Sequence, residues 1–210
     1  FQAIESGFDM VMFAPVFAAE SEALSLQELS QIQKRIVAKA HKYDVAVEGE
    51  VGELPLFNSM TGETHEGEDT DPDVCCEFVS ETGIDTVAVS IGNCHLKENG
   101  AVEINYEALR NLAEKVNVPL VLHGGTSIDR KDLGKVSQMG VAKVNFGTGM
   151  KRAVLNTLKR YMSDHDVDLM DPNDVLGRGG DKDLLVLEQE AVIEYVEATI
   201  QAMHGENMAF

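Results

Sequence analysis

Apolar residues gather along this chain in short continuous runs rather than in strict alternation. They are DMVMFA from Asp9, VAVEGEV from Val45, TVAVSI from Thr86, PLVLH from Pro119 and AKVNF from Ala142. Such runs suit strands buried on both faces, as in parallel sheets, where crossover helices cover the faces. The segments between them carry helical periodicity. Ser25 opens SLQE, a capping-box pattern, after which Leu29, Ile32, Ile36, Val37 and Ala40 fall on one stripe. Leu109, Leu112, Ala113 and Val116 form a second stripe, and Val192, Val196, Ile200 and Met203 a third. The order is therefore βαβα, with one interruption. From Gly52 to Pro72 the chain is rich in Gly, Thr, Glu and Asp and longer than an ordinary connection, as a functional lid or a disordered segment would be.

Five βα units fit either a doubly wound sheet or part of an eight-stranded barrel. Polar residues favour the barrel, because four successive strands end in groups capable of chemistry. Glu48 and Glu50 close the second, Asn93 and His95 follow the third, His123 the fourth, and Asn145 with Thr148 the fifth. Barrel active sites are built at those C-terminal ends, whereas a doubly wound sheet concentrates function at one switch point. The expected fold is α/β, a (β/α)8 TIM barrel, in a single domain over residues 1–210.

Composition narrows the function classes. The 36 acidic and 17 basic residues give a formal charge of −19, which disfavours nucleic acid and anionic lipid as partners. No run approaches the roughly 18 apolar residues of a membrane helix, and FQAIESGFDM lacks the features of a signal peptide. A cytoplasmic location is expected. Cys75, Cys76 and Cys94 are odd in number, and the first two are adjacent, so they are read as reduced thiols.

The chemistry concentrates in PLVLHGGTS. After His123, Gly124 and Gly125 allow backbone N–H groups close to an anion, Thr126 and Ser127 add hydroxyl donors, and Ile128 onward reads as a helix whose N-terminal end favours phosphate. A glycine-rich turn beside a satisfied core histidine is the competing account. His95 stands at the same end of the adjacent strand, so the two imidazoles could converge on one ion. Cys94, pointing the opposite way on an extended segment, is read as packed. Glu48 and Glu50, two apart, project to one side of their strand, either into the barrel mouth or along a solvated edge. His41, His65, His165 and His204 lie in helical or polar loop contexts with no assigned role. A zinc-like ion with an open position polarises a carbonyl and stabilises the enediolate left when the neighbouring carbon–carbon bond breaks. A phosphate cradle alongside would hold a small sugar phosphate against it.

These motifs resemble the class II, metal-dependent fructose-bisphosphate and tagatose-bisphosphate aldolases. GFDMVMF resembles the fourth strand of that family, VEGEVG the fifth, TDPDVCCEFVSETGIDTVAVSIGNCH the segment through the sixth, VPLVLHGGTS the seventh and VAKVNFGT the eighth. The resemblance implies that the chain carries strands 4 to 8 of the barrel, with His95, His123 and Glu50 as metal ligands. It implies Zn2+ as cofactor, replaceable by Co2+ or another divalent ion, with a monovalent cation as a further candidate. Gly124, Gly125, Thr126, Asn145, Phe146, Gly147 and Thr148 would hold dihydroxyacetone phosphate. HEGED resembles the family's mobile loop, in which Glu68 is the candidate for proton transfer. The implied reaction is reversible cleavage of fructose or tagatose 1,6-bisphosphate to dihydroxyacetone phosphate and glyceraldehyde 3-phosphate, in a homodimer or homotetramer.

The sequence also departs from the family pattern. The aspartate–histidine pair that ends the family's third strand, supplying an acid/base and a zinc ligand, has no counterpart in these 210 residues. Ala14 and Pro15 replace an aspartate–glycine pair, Leu96 a glycine, and Ser127 the last glycine of its motif. The chain is therefore expected to be part of a longer polypeptide. The alternative function is a catalytically inert relative that binds a sugar phosphate or has a structural role. Lys151 and Arg152 are candidates for a second phosphate.

Overall fold

Each of the five apolar runs forms a strand in the computed structural model, which describes residues 1–13, 24–52, 67–95 and 102–204. The first half of the chain comprises α1 (Gln2–Glu5), β1 (Met10–Met12), α2 (Leu26–Ala40), β2 (Ala46–Val51), α3 (Pro72–Thr82) and β3 (Thr86–Val89). The second comprises α4 (Tyr106–Lys115), β4 (Leu120–Leu122), α5 (Arg130–Gln138), β5 (Val141–Val144), α6 (Thr148–Asp164), α7 (Pro172–Val175) and α8 (Leu184–His204). The strands pair in parallel in the order β1-β2-β3-β4-β5. A doubly wound sheet reverses direction at its switch point, and these strands do not. The arrangement is an α/β fold whose parallel sheet steps in one direction, as in part of a barrel.

Local chemistry sets the helix boundaries. Ser25 and Glu28 close the expected capping box at α2, with Ser25 N donating to Glu28 Oε2 at 2.9 Å. Asp71 caps α3 in front of Pro72, and Asn105 Oδ1 accepts from Ala108 N at 3.0 Å to start α4. One boundary differs from expectation: Gly125–Ser127 is a 3-10 turn, Ile128 is extended, and α5 begins only at Arg130. The Asp129 carboxylate caps that helix by accepting from Lys131 N. Its end is therefore already satisfied by an anion and is not the phosphate-binding terminus that the sequence suggested.

The core lies between sheet and helices. Val47, Val87, Val89, Val121 and Leu122 are fully buried, and Ala40, Phe78, Leu109, Leu112, Leu133 and Val136 meet the sheet from the helical layer. Ala113 stays exposed, outside the stripe assigned to it. Along α8, Val196, Ile200 and Met203 join Val144 and Phe146 around an apolar groove of about 300 Å³, with Met203 also packed against the core. That helix packs on α5 and α6, and its buried residues are Leu184 and Thr199.

Gly49 orients the second strand. A Cβ there would lie 2.6 Å from Ile84 Cδ1 and 3.0 Å from Phe78 Cε1, so this side of β2 presses against the α3 side of the sheet. Alternation then turns Glu48 and Glu50 to the opposite face. No helix among the described residues is long and apolar enough to cross a membrane. Cys75 and Cys76 are free thiols.

Candidate metal centre and its adjoining cleft

The loops after β3 and β4 are locked together before any functional side chain is placed. Asn93 Oδ1 accepts from Ile91 N at 2.8 Å, while its Nδ2 donates to His123 O at 3.0 Å and Val89 O at 3.3 Å. Asn93 is fully buried, so its position at a strand end serves structure. Ser127 Oγ accepts from Cys94 N at 3.0 Å and donates to Gly124 O at 2.8 Å. The hydroxyl at this family-glycine position is thus a second tie between the two loops. Cys94 is buried, as expected, with its thiol donating to His95 O.

This scaffold brings Glu50, His95 and His123 together, each offering a ligand atom within 4.8 Å of the others. The two imidazole rings stand 6.0 Å apart between centroids, tilted by 59°. One carboxylate and two imidazoles are a donor set that suits zinc or a similar divalent ion. Glu50 is half-buried; Glu48, at 1% exposure, is fully buried, which removes the solvated-edge account of this pair. Glu48 Oε1 lies 2.9 Å from His123 Nε2, and its Oε2 lies 2.6 Å from Lys143 Nζ. The lysine contact is an ion pair without the alignment of a hydrogen bond. Gln33, from the middle of the α2 stripe, donates to Glu48 O at 3.1 Å and fixes the backbone from the other side.

Environment separates the two carboxylates. Burial pushes Glu48 upward, but the contacts with His123 and the Lys143 ammonium outweigh it and hold the group below its ordinary value. Glu50 lacks such partners, and burial followed by the neighbouring Glu48 charge raises it. His95 is lowered, first by burial and then by His123. The neutral imidazole that a metal requires is the form favoured at His95.

His95 and His123 also line a cleft of about 240 Å³ shared with Gly124, Thr126, Asn145, Phe146, Gly147, Thr148 and Lys151. The glycine loop reaches it because Gly124 adopts φ +64°, the left-handed region. Gly125 does not line this cleft. Its Cα packs behind, where a Cβ would lie 2.7 Å from Val144 Cγ1 and 2.8 Å from Phe146 Cε1, and its N–H donates to Asn145 O at 3.0 Å. Thr126 Oγ1 accepts from Gly149 N at 3.0 Å, clamping the loop to the start of α6. That helix begins beside the cleft with Gly147 as N-cap, a residue with no side chain to cap it. The anion-friendly helix end at the site is therefore that of α6 rather than α5.

Other expected residues lie elsewhere. Glu68 is exposed and outside the cluster of Glu50, His95 and His123. Two residues on, Thr70 is held by Val51 O and by Ser90, tying this end of the loop to the ends of β2 and β3. Arg152 lines a neighbouring cleft of about 360 Å³ instead of the one reached by Lys151. Ala14, Pro15, His65 and Leu96 lie outside the described residues, as does most of the Gly52 to Pro72 loop.

A family model for class II fructose-bisphosphate aldolase matches residues 1–207. The chain belongs to the class II fructose-bisphosphate aldolase family. Solved structures agree. The YdjI aldolase of Escherichia coli K12 is 27% identical with a TM-score of 0.68, over 98% of this chain and 64% of that one. A Coccidioides immitis protein, described as a candidate fructose-1,6-bisphosphate aldolase, is 26% identical with a TM-score of 0.67, over 99% of this chain and 69% of that one. Fructose-bisphosphate aldolase from Campylobacter jejuni shares the fold at 21% identity and a TM-score of 0.62, over 92% of this chain and 59% of that one. This class II aldolase chain thus spans about two thirds of the length of the structures it matches. What sequence reasoning missed in this family member is Lys143, which stands within VAKVNFGT but, as one charge inside an apolar run, carries no signal of a role there.

Proposed function

We propose that the protein containing this chain is a metal-dependent aldolase that reversibly cleaves a ketose bisphosphate, fructose or tagatose 1,6-bisphosphate, to dihydroxyacetone phosphate and glyceraldehyde 3-phosphate. The observation that carries the reading is the convergence of Glu50, His95 and His123 beside a cleft walled by a glycine loop and the start of α6. A divalent ion, when bound, polarises the carbonyl next to the bond that breaks. Glu50, His95 and His123 would hold it. The N–H groups around Gly124, Gly147 and Thr148, with the Lys151 ammonium, would bind phosphate and set its distance from the metal ligands. Asn145 would hold a substrate hydroxyl, and Glu68, on the loop anchored at Thr70, would move the proton. The five strands correspond to strands 4 to 8 of the barrel, a reading supported by their sequential parallel order.

The test is chelation. Aldol cleavage by the full-length protein should be lost after chelator treatment and return with zinc or cobalt. Chelator-insensitive cleavage would remove the metal mechanism, and sugar-phosphate binding without turnover would favour the inert relative.

Acid should weaken the site. His95, held below 6.5, stays a neutral donor further into acid than a free imidazole, whereas Glu50, held above 4.5, takes up its proton earlier than a free carboxylate. Protons compete with the metal for both groups, so zinc affinity should fall as pH drops from about 7 toward about 4. Zinc titrations across that range check it; affinity that is flat or rises on acidification would contradict this ligand set.

A further inference from the structure

We propose that Lys143 is a positioning residue: acting through Glu48, it holds His123 in the tautomer that carries its proton on Nε2, leaving Nδ1 as the nitrogen with a free lone pair. The inference rests on the metal-centre reading of Glu50, His95 and His123 and adds a residue from another strand to it. The three groups come from β2, from the residue after β4 and from β5.

The argument is one of donors and acceptors. A lysine ammonium offers only protons and positive charge, so Glu48 Oε2, 2.6 Å from Lys143 Nζ in an ion pair, stands as a bare carboxylate oxygen. Oε2 is buried, and among the described residues Lys143 is the partner within reach. A carboxylate engaged in this way presents its other oxygen as an acceptor too. His123 Nε2, 2.9 Å from Oε1, is then the N–H of the ring. A neutral imidazole has one N–H, so its lone pair stands on Nδ1. Metal-bound histidines are commonly fixed in this manner by a carboxylate on the far nitrogen. Lys143 is anchored at one end by Glu48 while its side chain is 40% exposed, so it can be exchanged with little loss of core packing.

The test uses the full chain labelled with 15N and long-range proton–nitrogen correlation of the His123 ring, without metal. The wild type should show the Nε2–H pattern, Lys143→Met a mixture containing Nδ1–H, and Lys143→Arg the wild-type pattern. Zinc affinity, measured by competition with a chromophoric chelator, should fall roughly 10–100-fold in Lys143→Met and recover in Lys143→Arg. A wild-type ring protonated on Nδ1 overturns the inference, and that spectrum decides the matter even if Lys143→Met does not fold. An unchanged tautomer in folded Lys143→Met overturns it equally. Wild-type protein that binds no zinc would sink the metal-centre reading, with the tautomer spectra still deciding the role of Lys143.

Discussion

Replacing His95 by alanine is expected to lower zinc affinity by more than the roughly 100-fold that loss of a residue behind the ligands costs, with little change in the fold. The ring is one of three groups whose ligand atoms converge within 4.8 Å, and its removal leaves Glu50 and His123 to hold the ion. Among the described residues the ring makes no hydrogen bond, and its neighbour is the His123 ring at 6.0 Å. Metal-free stability should therefore shift by no more than about 1 kcal/mol, the centre of the range for single substitutions. Isothermal titration with zinc and thermal melts of the metal-free protein read the two effects separately. Wild-type affinity in His95→Ala would remove this residue from the ligand set. The contrast with His123 is instructive, because that ring is also a hydrogen-bond partner of buried Glu48, and its loss would disturb both packing and binding.

Gly124→Ala should be strongly destabilising. Its backbone sits at φ +64°, and the added Cβ would lie 2.3 Å from Cys94 O and 2.7 Å from Cys94 C. Those are backbone atoms of the loop carrying His95, itself tied down through Asn93 and Ser127, so they cannot swing aside. Left-handed strain and overpacking together should cost about 4 kcal/mol. For a chain of this size that is a fall in Tm of roughly 8–16 °C. Gly180→Ala is the control, since its Cβ would meet nothing within 4 Å and its φ is outside the left-handed region. It should stay within about 0.5 kcal/mol of wild type in a denaturant titration. Equal stability in the two variants would show that the loops after β3 and β4 are not locked as described.

The site was legible in unequal parts. His95 and His123 could be found because each follows a buried strand, and the barrel hypothesis puts such ends on one rim. The spacing of Glu48 and Glu50 correctly placed them on one side of β2, yet could not say that the first is held away from the metal ligands' role by His123 and Lys143. The α5 terminus misled because a glycine turn running into a helical pattern looks like a phosphate cradle. The chain inserts a 3-10 turn and an extended Ile128 before Asp129 caps the helix.

By itself the sequence determined the strands, the helix cap at Ser25 and the glycine turn after β4. These follow from near neighbours, through apolar period, hydrogen bonding within a turn and the freedom of φ. Only the tertiary structure decided how Glu48 meets His123 across 75 residues, why Asn93 and Ser127 serve as ties, and which helix end faces the cleft. Such contacts depend on the relative stagger of strands and the depth at which each side chain sits. Periodicity tells which face a residue takes, but which groups meet across that face is set by packing.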